Sequence, residues 1–311
     1  MSDDSTVRRV ASRAAVPLFI AHVALTGFAT LALVTIVLAP EPPALMNSPY
    51  AGEVYAIANR YSGPLYVILG AMAVLAHAIG AAGVTRAILL LGAASAIALA
   101  AELIGTATGL PFGEYAYTPM LGYRIGGLVP FTIPLSWFYM LYGCLAMCGR
   151  ILPARDDLRT RMTWAVVAGI FLTAWDVSLD PAMSYATKHW YWMQDGAFYG
   201  MPWVNFAGWL LTGTIVSFAM LTIVPPTRFA ERVSPSSFPI FVYAVNGVMP
   251  LAMVARVELW WSFWPGLIAM ATPVLLAVAS GRVVSTANRD PRITKKGVEF
   301  DSTSIGHSPA N

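Results

Sequence analysis

The chain has 311 residues, of which 57% are hydrophobic and only 11% charged, with a net charge of +3 and a mean hydropathy of +0.64. That composition excludes an ordinary soluble domain of this length. No basic patch with interleaved aromatics is present, so the slight positive charge does not imply a nucleic-acid partner.

Apolar runs long enough to cross a ~30 Å hydrocarbon core, which takes roughly 20 residues each, occur at residues 14–38, 64–83, 87–107, 130–148, 163–182, 202–223, 237–255 and 261–281. The expected fold is therefore an all-α, polytopic transmembrane bundle of eight helices, the seventh being the weakest. The first run follows Arg8, Arg9 and Arg13. It is longer than the apolar region of a signal peptide and has no clear small-residue cleavage site, so it reads as a retained anchor. Residues 1–13 form a cytoplasmic N-terminal segment, 14–282 the transmembrane catalytic domain, and 283–311, polar and without apolar period, a disordered cytoplasmic tail. Of the 19 Lys and Arg residues, 15 fall on one side of the eight-span arrangement, and only Arg60, Arg124, Lys188 and Arg256 on the other. Because basic residues in short loops are retained in the cytoplasm, both termini are expected there.

Polar residues punctuate this pattern at a few places. His22 and His77, on the first two helices, read as packed histidines. Glu102 interrupts the run Ala87–Ala107, and Asp176 and Asp180 close the run from Trp164, with no lysine or arginine inside either segment. Cys144 and Cys148 read as buried structural thiols rather than a disulfide or metal pair. At 1.5 Å per residue, Asp176 lies roughly 20 Å along the fifth helix and Glu102 roughly 24 Å beyond Arg86 on the third, so both fall in the outer third of the membrane. Asn205 begins the sixth helix at the same level. Two long connections frame that layer like a lid. One holds Glu114, Tyr115, Tyr117 and Tyr123, and the other Tyr185, His189, Trp190, Tyr191, Trp192, Asp195 and Tyr199. A short echo also recurs: Pro130-Phe131 precedes Trp137 as Pro202-Trp203 precedes Trp209, which suggests that helices three and four repeat as five and six.

Asp176 and Asp180, four residues apart, share one helix face. The bland alternatives are that Asp180 before Pro181 only ends the helix and that Asp176 only satisfies a neighbour. For the aromatics, the bland alternative is an interfacial belt. Ionisable groups in hydrocarbon are expensive and usually mark a pathway or reaction centre. Too few histidines are present for an oxygen-activating di-iron site, no dinucleotide-binding glycine motif follows a strand, and Lys188, Lys295 and Lys296 all lie outside the spans, which removes a retinal Schiff base. Acid chemistry in a greasy pocket remains. In low dielectric a carboxylic acid favours its neutral form, and neighbouring acids share a proton. Such an arrangement suits protonation of a trisubstituted isoprenoid alkene to a tertiary cation, steadied by aromatic faces and captured by water. The substrate would enter sideways from the bilayer and water from the outer loops.

The ordered motifs Thr108-Gly109-Leu110-Pro111-Phe112-Gly113-Glu114-Tyr115-Ala116-Tyr117-Thr118, Ile133-Pro134-Leu135-Ser136-Trp137, Asp176-Val177-Ser178-Leu179-Asp180-Pro181, Trp190-Tyr191-Trp192 and Asn205-Phe206-Ala207-Gly208-Trp209 resemble those of the membrane carotenoid-biosynthesis hydratases, the gamma-carotene 1'-hydroxylase and bisanhydrobacterioruberin hydratase types. The resemblance covers roughly the middle third of the chain and implies cofactor-free, metal-free addition of water to the terminal double bond of an acyclic carotenoid. It places the acids at Glu102, Asp176 and Asp180. The expected substrate contacts are Glu114, Tyr115, Tyr117, Trp137, Trp190, Trp192, Tyr199, Asn205 and Trp209. Expected partners are a carotenoid or other long isoprenoid lipid, water, membrane lipid and other enzymes of carotenoid synthesis, and the expected location is a bacterial cytoplasmic membrane with the site near its extracytoplasmic side. Three other readings stay open: a lycopene-cyclase-like reaction, an intramembrane prenyltransferase and a proton-coupled carrier.

Overall fold

A computed structural model describes residues 2–41 and 43–287. Among the described residues, eight helices are long and apolar enough to cross a membrane. They are α1 (Ser2–Ala32, continued by a π-turn at Leu33–Val37), α2 (Ala51–Ala82), α3 (Val84–Thr108), α4 (Thr132–Ile151), α5 (Leu158–Asp180, continued by a π-turn at Pro181–Ala186), α6 (Val204–Ile223), α8 (Phe238–Arg256) and α9 (Trp260–Ala287), with a short α7 (Pro226–Arg232) between the sixth and seventh spans. The architecture is an all-α polytopic bundle. The weak seventh run forms a regular helix, α8. The expected tail lies, from residue 288 onward, outside the described residues.

Two boundaries differ from the apolar count: α1 already begins at Ser2 rather than residue 14, so Arg8, Arg9 and Arg13 lie on it. The second helix starts at Ala51, not residue 64, so Arg60 lies on a helix rather than in a connection. The segment from Ala51 to Gly63 carries Glu53, Asn59 and Arg60 and is too polar to register as a span, yet nothing in it stops a helix. The resulting 32 residues rise about 48 Å, well beyond the hydrocarbon thickness.

α4 is the central helix. It packs on α2, α3, α5, α8 and α9, and its run from Trp137 to Cys148 is fully or almost fully buried. Cys144 and Cys148 are buried free thiols. At one end of the bundle Arg8 donates to the carbonyls of Gly80 and Ala81 at the C-terminus of α2, where a cation and a donor are both favourable. Gly83, with φ +93°, is the only residue between α2 and α3, a conformation that a Cβ would strain. At that same end Arg150 fastens α4 to the turn before α8 through the carbonyls of Ser234 (2.6 Å) and Pro235 (3.0 Å).

Deeper in the bundle, Asn246 of α8 joins four helices. Its amide nitrogen donates to Val242 O and lies 3.1 Å from His22 Nε2 of α1, its amide oxygen accepts from Tyr139 of α4 (3.3 Å), and its backbone carbonyl accepts from Trp175 Nε1 of α5 (3.0 Å). His22 is thus a packed histidine, with Nδ1 2.8 Å from the Tyr66 carbonyl of α2. His77 lies 3.0 Å from the Tyr142 hydroxyl and stacks on Phe238.

The opposite end is closed by short strands. β1 (Tyr115–Tyr117) pairs antiparallel with β4 (Trp190–Trp192) in the register Tyr115 to Trp192 and Tyr117 to Trp190, while β2 (Arg124–Ile125) pairs with β3 (Val129–Pro130). The first ladder is lengthened by Thr118 N to His189 O and Met193 N to Glu114 O. Strand alternation turns Tyr115, Tyr117, Trp190 and Trp192 toward the bundle and Glu114, Tyr191 and Met193 outward. The lid expected from the sequence is a β-ribbon joining the two connections. His189 is buried beside it, 2.7 Å from Thr187 Oγ1, and burial pushes its pKa down from 6.5 to about 4.

Two measurements check these assignments. Asn246→Ala, which strands His22, Tyr139 and their neighbours, is expected to cost about 1–3 kcal/mol and to lower the melting temperature in detergent, read by tryptophan fluorescence. Between pH 6.5 and about 4 the unfolded chain binds a proton that folded His189 excludes, so lid stability should fall with pH across that window, by up to about 3 kcal/mol in total. His189→Gln should flatten that acid dependence while leaving the neutral-pH melt near wild type.

Candidate active site

α3 and α5 bring their acids to one level because each ends beneath the ribbon. Glu102 lies two turns before the end of α3, Asp176 one turn before the end of α5, and Asp180 at that end. All three are buried.

Each of two acids is satisfied by three uncharged donors. Glu102 Oε2 accepts from the hydroxyls of Tyr115 (2.5 Å) and Tyr117 (2.9 Å), and Oε1 from Trp137 Nε1 (3.3 Å). Asp180 Oδ1 accepts from Ser184 Oγ (2.8 Å) and Trp192 Nε1 (2.9 Å), and Oδ2 from Trp190 Nε1 (2.9 Å). Strand β1 therefore serves Glu102 and its partner β4 serves Asp180. Burial pushes both tyrosine phenols well above their usual range, so they remain O–H donors. Asp176 is held differently: Oδ2 accepts from Asn205 Nδ2 of α6 (2.8 Å), while Oδ1, fully buried, has no protein partner. No hydrogen bond joins Asp176 to Asp180.

Glu102 and Asp180 face a narrow, partly open chamber. Its lining includes the expected Tyr115, Tyr117, Trp137, Trp190, Trp192, Asn205 and Trp209, and it contains no lysine or arginine. Trp137 and Trp209, the two residues of the sequence echo, stack face to face at 4.9 Å and 24°, and Trp175 meets Trp209 edge-on at 6.1 Å. Phe112 is seated beside them where Gly105 of α3 and Gly208 of α6 leave room, since a Cβ at either glycine would stand 2.7 or 2.6 Å from its ring. Among the described residues, no group of three or more His, Cys, Asp or Glu side chains is arranged to hold a metal ion.

The structure does not bring Glu114 or Tyr199 to this chamber. Glu114 is exposed, because it continues the outward side of β1, and its backbone rather than its carboxyl is used, donating to Gln194 Oε1. Tyr199 packs on Tyr185 and Phe198 outside the ribbon. There it borders a polar basin with Ser184, Lys188, Gln194 and Asp195 that reaches the outer side of Trp192. Asp176 lies behind the chamber wall and meets it through Asn205. Conversely, Tyr66, Phe112, Ser136, Trp175, Leu179 and Met183 line the chamber without having been singled out. Phe112 stood inside a quoted motif and Trp175 beside Asp176, but Tyr66 sits in an apolar run of α2 where nothing distinguishes it.

Comparison with known proteins fits this arrangement. A family model described as carotenoid biosynthesis protein matches residues 62–273, about two thirds of the chain. The bisanhydrobacterioruberin hydratase of Haloarcula japonica is 35% identical over 115 residues, covering 37% of this chain and 38% of that protein. The matched stretch thus spans well under half of that relative. No solved structure matches the chain. Every residue lining the acid chamber falls inside the family match, and the chain belongs to the carotenoid biosynthesis protein family.

Proposed function

We propose that this protein is a carotenoid hydratase, adding water across the terminal double bond of an acyclic carotenoid without a cofactor. The observation that carries the reading is the chamber itself: two buried carboxyls, no basic side chain, and tryptophan and tyrosine faces around an apolar space. Family membership and the name of the Haloarcula relative support a carotenoid substrate.

The reaction needs a proton donor, a stabiliser of positive charge and a water. A chamber acid, Glu102 or Asp180, gives its proton to the less substituted alkene carbon, and the π pair forms the new C–H bond. The tertiary cation left behind lies among Trp137, Trp209 and Trp175, whose faces attract it by up to about 2 kcal/mol each when desolvated. A water lone pair then closes on the cationic carbon, and the proton released from its oxygen returns to a carboxylate, restoring the acid. Water arrives through the polar basin, whose Ser184 and Trp192 both donate to Asp180. Asn205 holds Asp176 one helical turn behind Asp180, close enough for its charge state to bear on the protons held by the chamber acids. The start of α1 and the end of α9 lie at the arginine-rich end and the chamber at the other, and the basic-residue bias supports a site near the extracytoplasmic face of a bacterial cytoplasmic membrane.

Expression in cells that make lycopene or another open-ended carotenoid should yield a more polar pigment heavier by one water, with label from heavy-oxygen water, not molecular oxygen, in the new hydroxyl. An unchanged mass with a new ring would show cyclisation, and oxygen-derived label would remove the acid mechanism. Glu102→Gln, Asp176→Asn and Asp180→Asn should each lower turnover by about a hundredfold or more while membrane insertion and the melting profile stay near wild type. Tyr115→Phe and Trp192→Phe, each removing one of three donors to an acid, should cause smaller losses, roughly tenfold.

A further inference from the structure

A second, narrow cavity lies beside the acid chamber, between α1 and α2. Tyr66, Leu121 and Met183 line both, so these three side chains form the partition between the two spaces. The second cavity carries no Asp, Glu, Lys or Arg in its lining, and the imidazole it includes, His189, is kept neutral by burial. Three of its wall residues, Leu33, Ile36 and Val37, come from the π-turn that ends α1, a widened turn of the kind that recurs at functional sites. Phe28, Val37 and Tyr55 are exposed on the outer surface of the bundle, so the cavity opens sideways, where lipid would lie.

The other aromatic groove at this end, lined by Phe198, Trp203, Phe206 and Trp261, shares no residue with the acid chamber. Of these two apolar cavities, the α1–α2 one adjoins the acid chamber, sharing Tyr66, Leu121 and Met183 with it. The two spaces also differ in their relation to the family. All chamber residues fall within the matched segment, whereas nine of the seventeen residues lining the second cavity precede residue 62.

Resting on the hydratase reading, we propose that the α1–α2 cavity is the binding arm for the unreacting remainder of the long polyene, entered from the bilayer. The reacting end passes the partition of Tyr66, Leu121 and Met183, and the arm sets which chain lengths this protein accepts. A long rigid apolar chain matches an uncharged, laterally open cavity, because burial there removes it from water and lipid headgroups without stranding a polar group.

Ala32→Trp and Ala58→Trp fill the arm from opposite helices. Protein in nanodiscs is given a long acyclic polyene and a short acyclic isoprenoid with the same trisubstituted end, and the ratio of the two turnover efficiencies is measured. That ratio should fall about tenfold or more in each variant, whereas Ile268→Trp, on the exposed side of α9, should leave it unchanged. An unchanged ratio, or equal loss of both substrates in a folded variant, overturns the arm. Wild-type protein hydrating neither substrate overturns the hydratase reading instead. Unmodified protein supplies a second measurement that is independent of turnover and of variant folding. A long polyene bearing a photoreactive diazirine at the far end should crosslink residues within 28–37 or 55–63, and capture at Phe206 or Trp261 would overturn the arm.

Discussion

The structure turns on carboxyl groups buried in a membrane bundle with no cation beside them. An ion pair would satisfy such a group at the cost of fixing its charge, and a buried carboxyl without partners would be expensive. Here Glu102 and Asp180 are each met by three uncharged O–H or N–H donors, five of the six from tyrosine or tryptophan. Aromatic donors do two things at once. Their polar tips hold the acids, and their ring bodies make the surrounding space apolar and rich in π-faces.

That requirement explains the ribbon. Four of those aromatic donors sit on the ribbon, two on each strand, and each pair must face one side of a short connection at a spacing that a strand with period two supplies. The antiparallel register sets Tyr115 across from Trp192 and Tyr117 across from Trp190, so one small ladder couples the shells of two acids carried by different helices. Below, Gly105 and Gly208 let Phe112 enter between α3 and α6, and Asn246 fixes Trp175 from the other side. The chamber is thus walled by rigid elements on every level, and preorganisation of this kind is what an electrostatic or acid-catalysed step exploits.

The surroundings are asymmetric in a way that suits two unlike reactants. A polar basin with Lys188, Gln194 and Asp195 lies outside the ribbon, touching Trp192 and Ser184, while an uncharged cavity lies on the lipid side behind Tyr66, Leu121 and Met183. The family match contains the acids and their donors. Much of the apolar cavity comes from α1 and the first turns of α2, outside it.

Hydropathy and charge alone determined the eight spans, because crossing hydrocarbon forces every backbone group into a helix and leaves a long apolar run as its signature. The acids were legible for the same reason: Glu102, Asp176 and Asp180 are conspicuous where charge is costly. Only the tertiary structure decided which residues complete the site. Glu114 reads like its neighbours in the motif, yet strand alternation turns it to the outside, and Tyr199 belongs to the basin. Tyr66 lies 36 residues before Glu102 on another helix and is indistinguishable from any core tyrosine until α2 packs against α4. The pairing of β1 with β4 joins segments some 75 residues apart, and no local pattern encodes such a contact, because it depends on where two helices happen to end together.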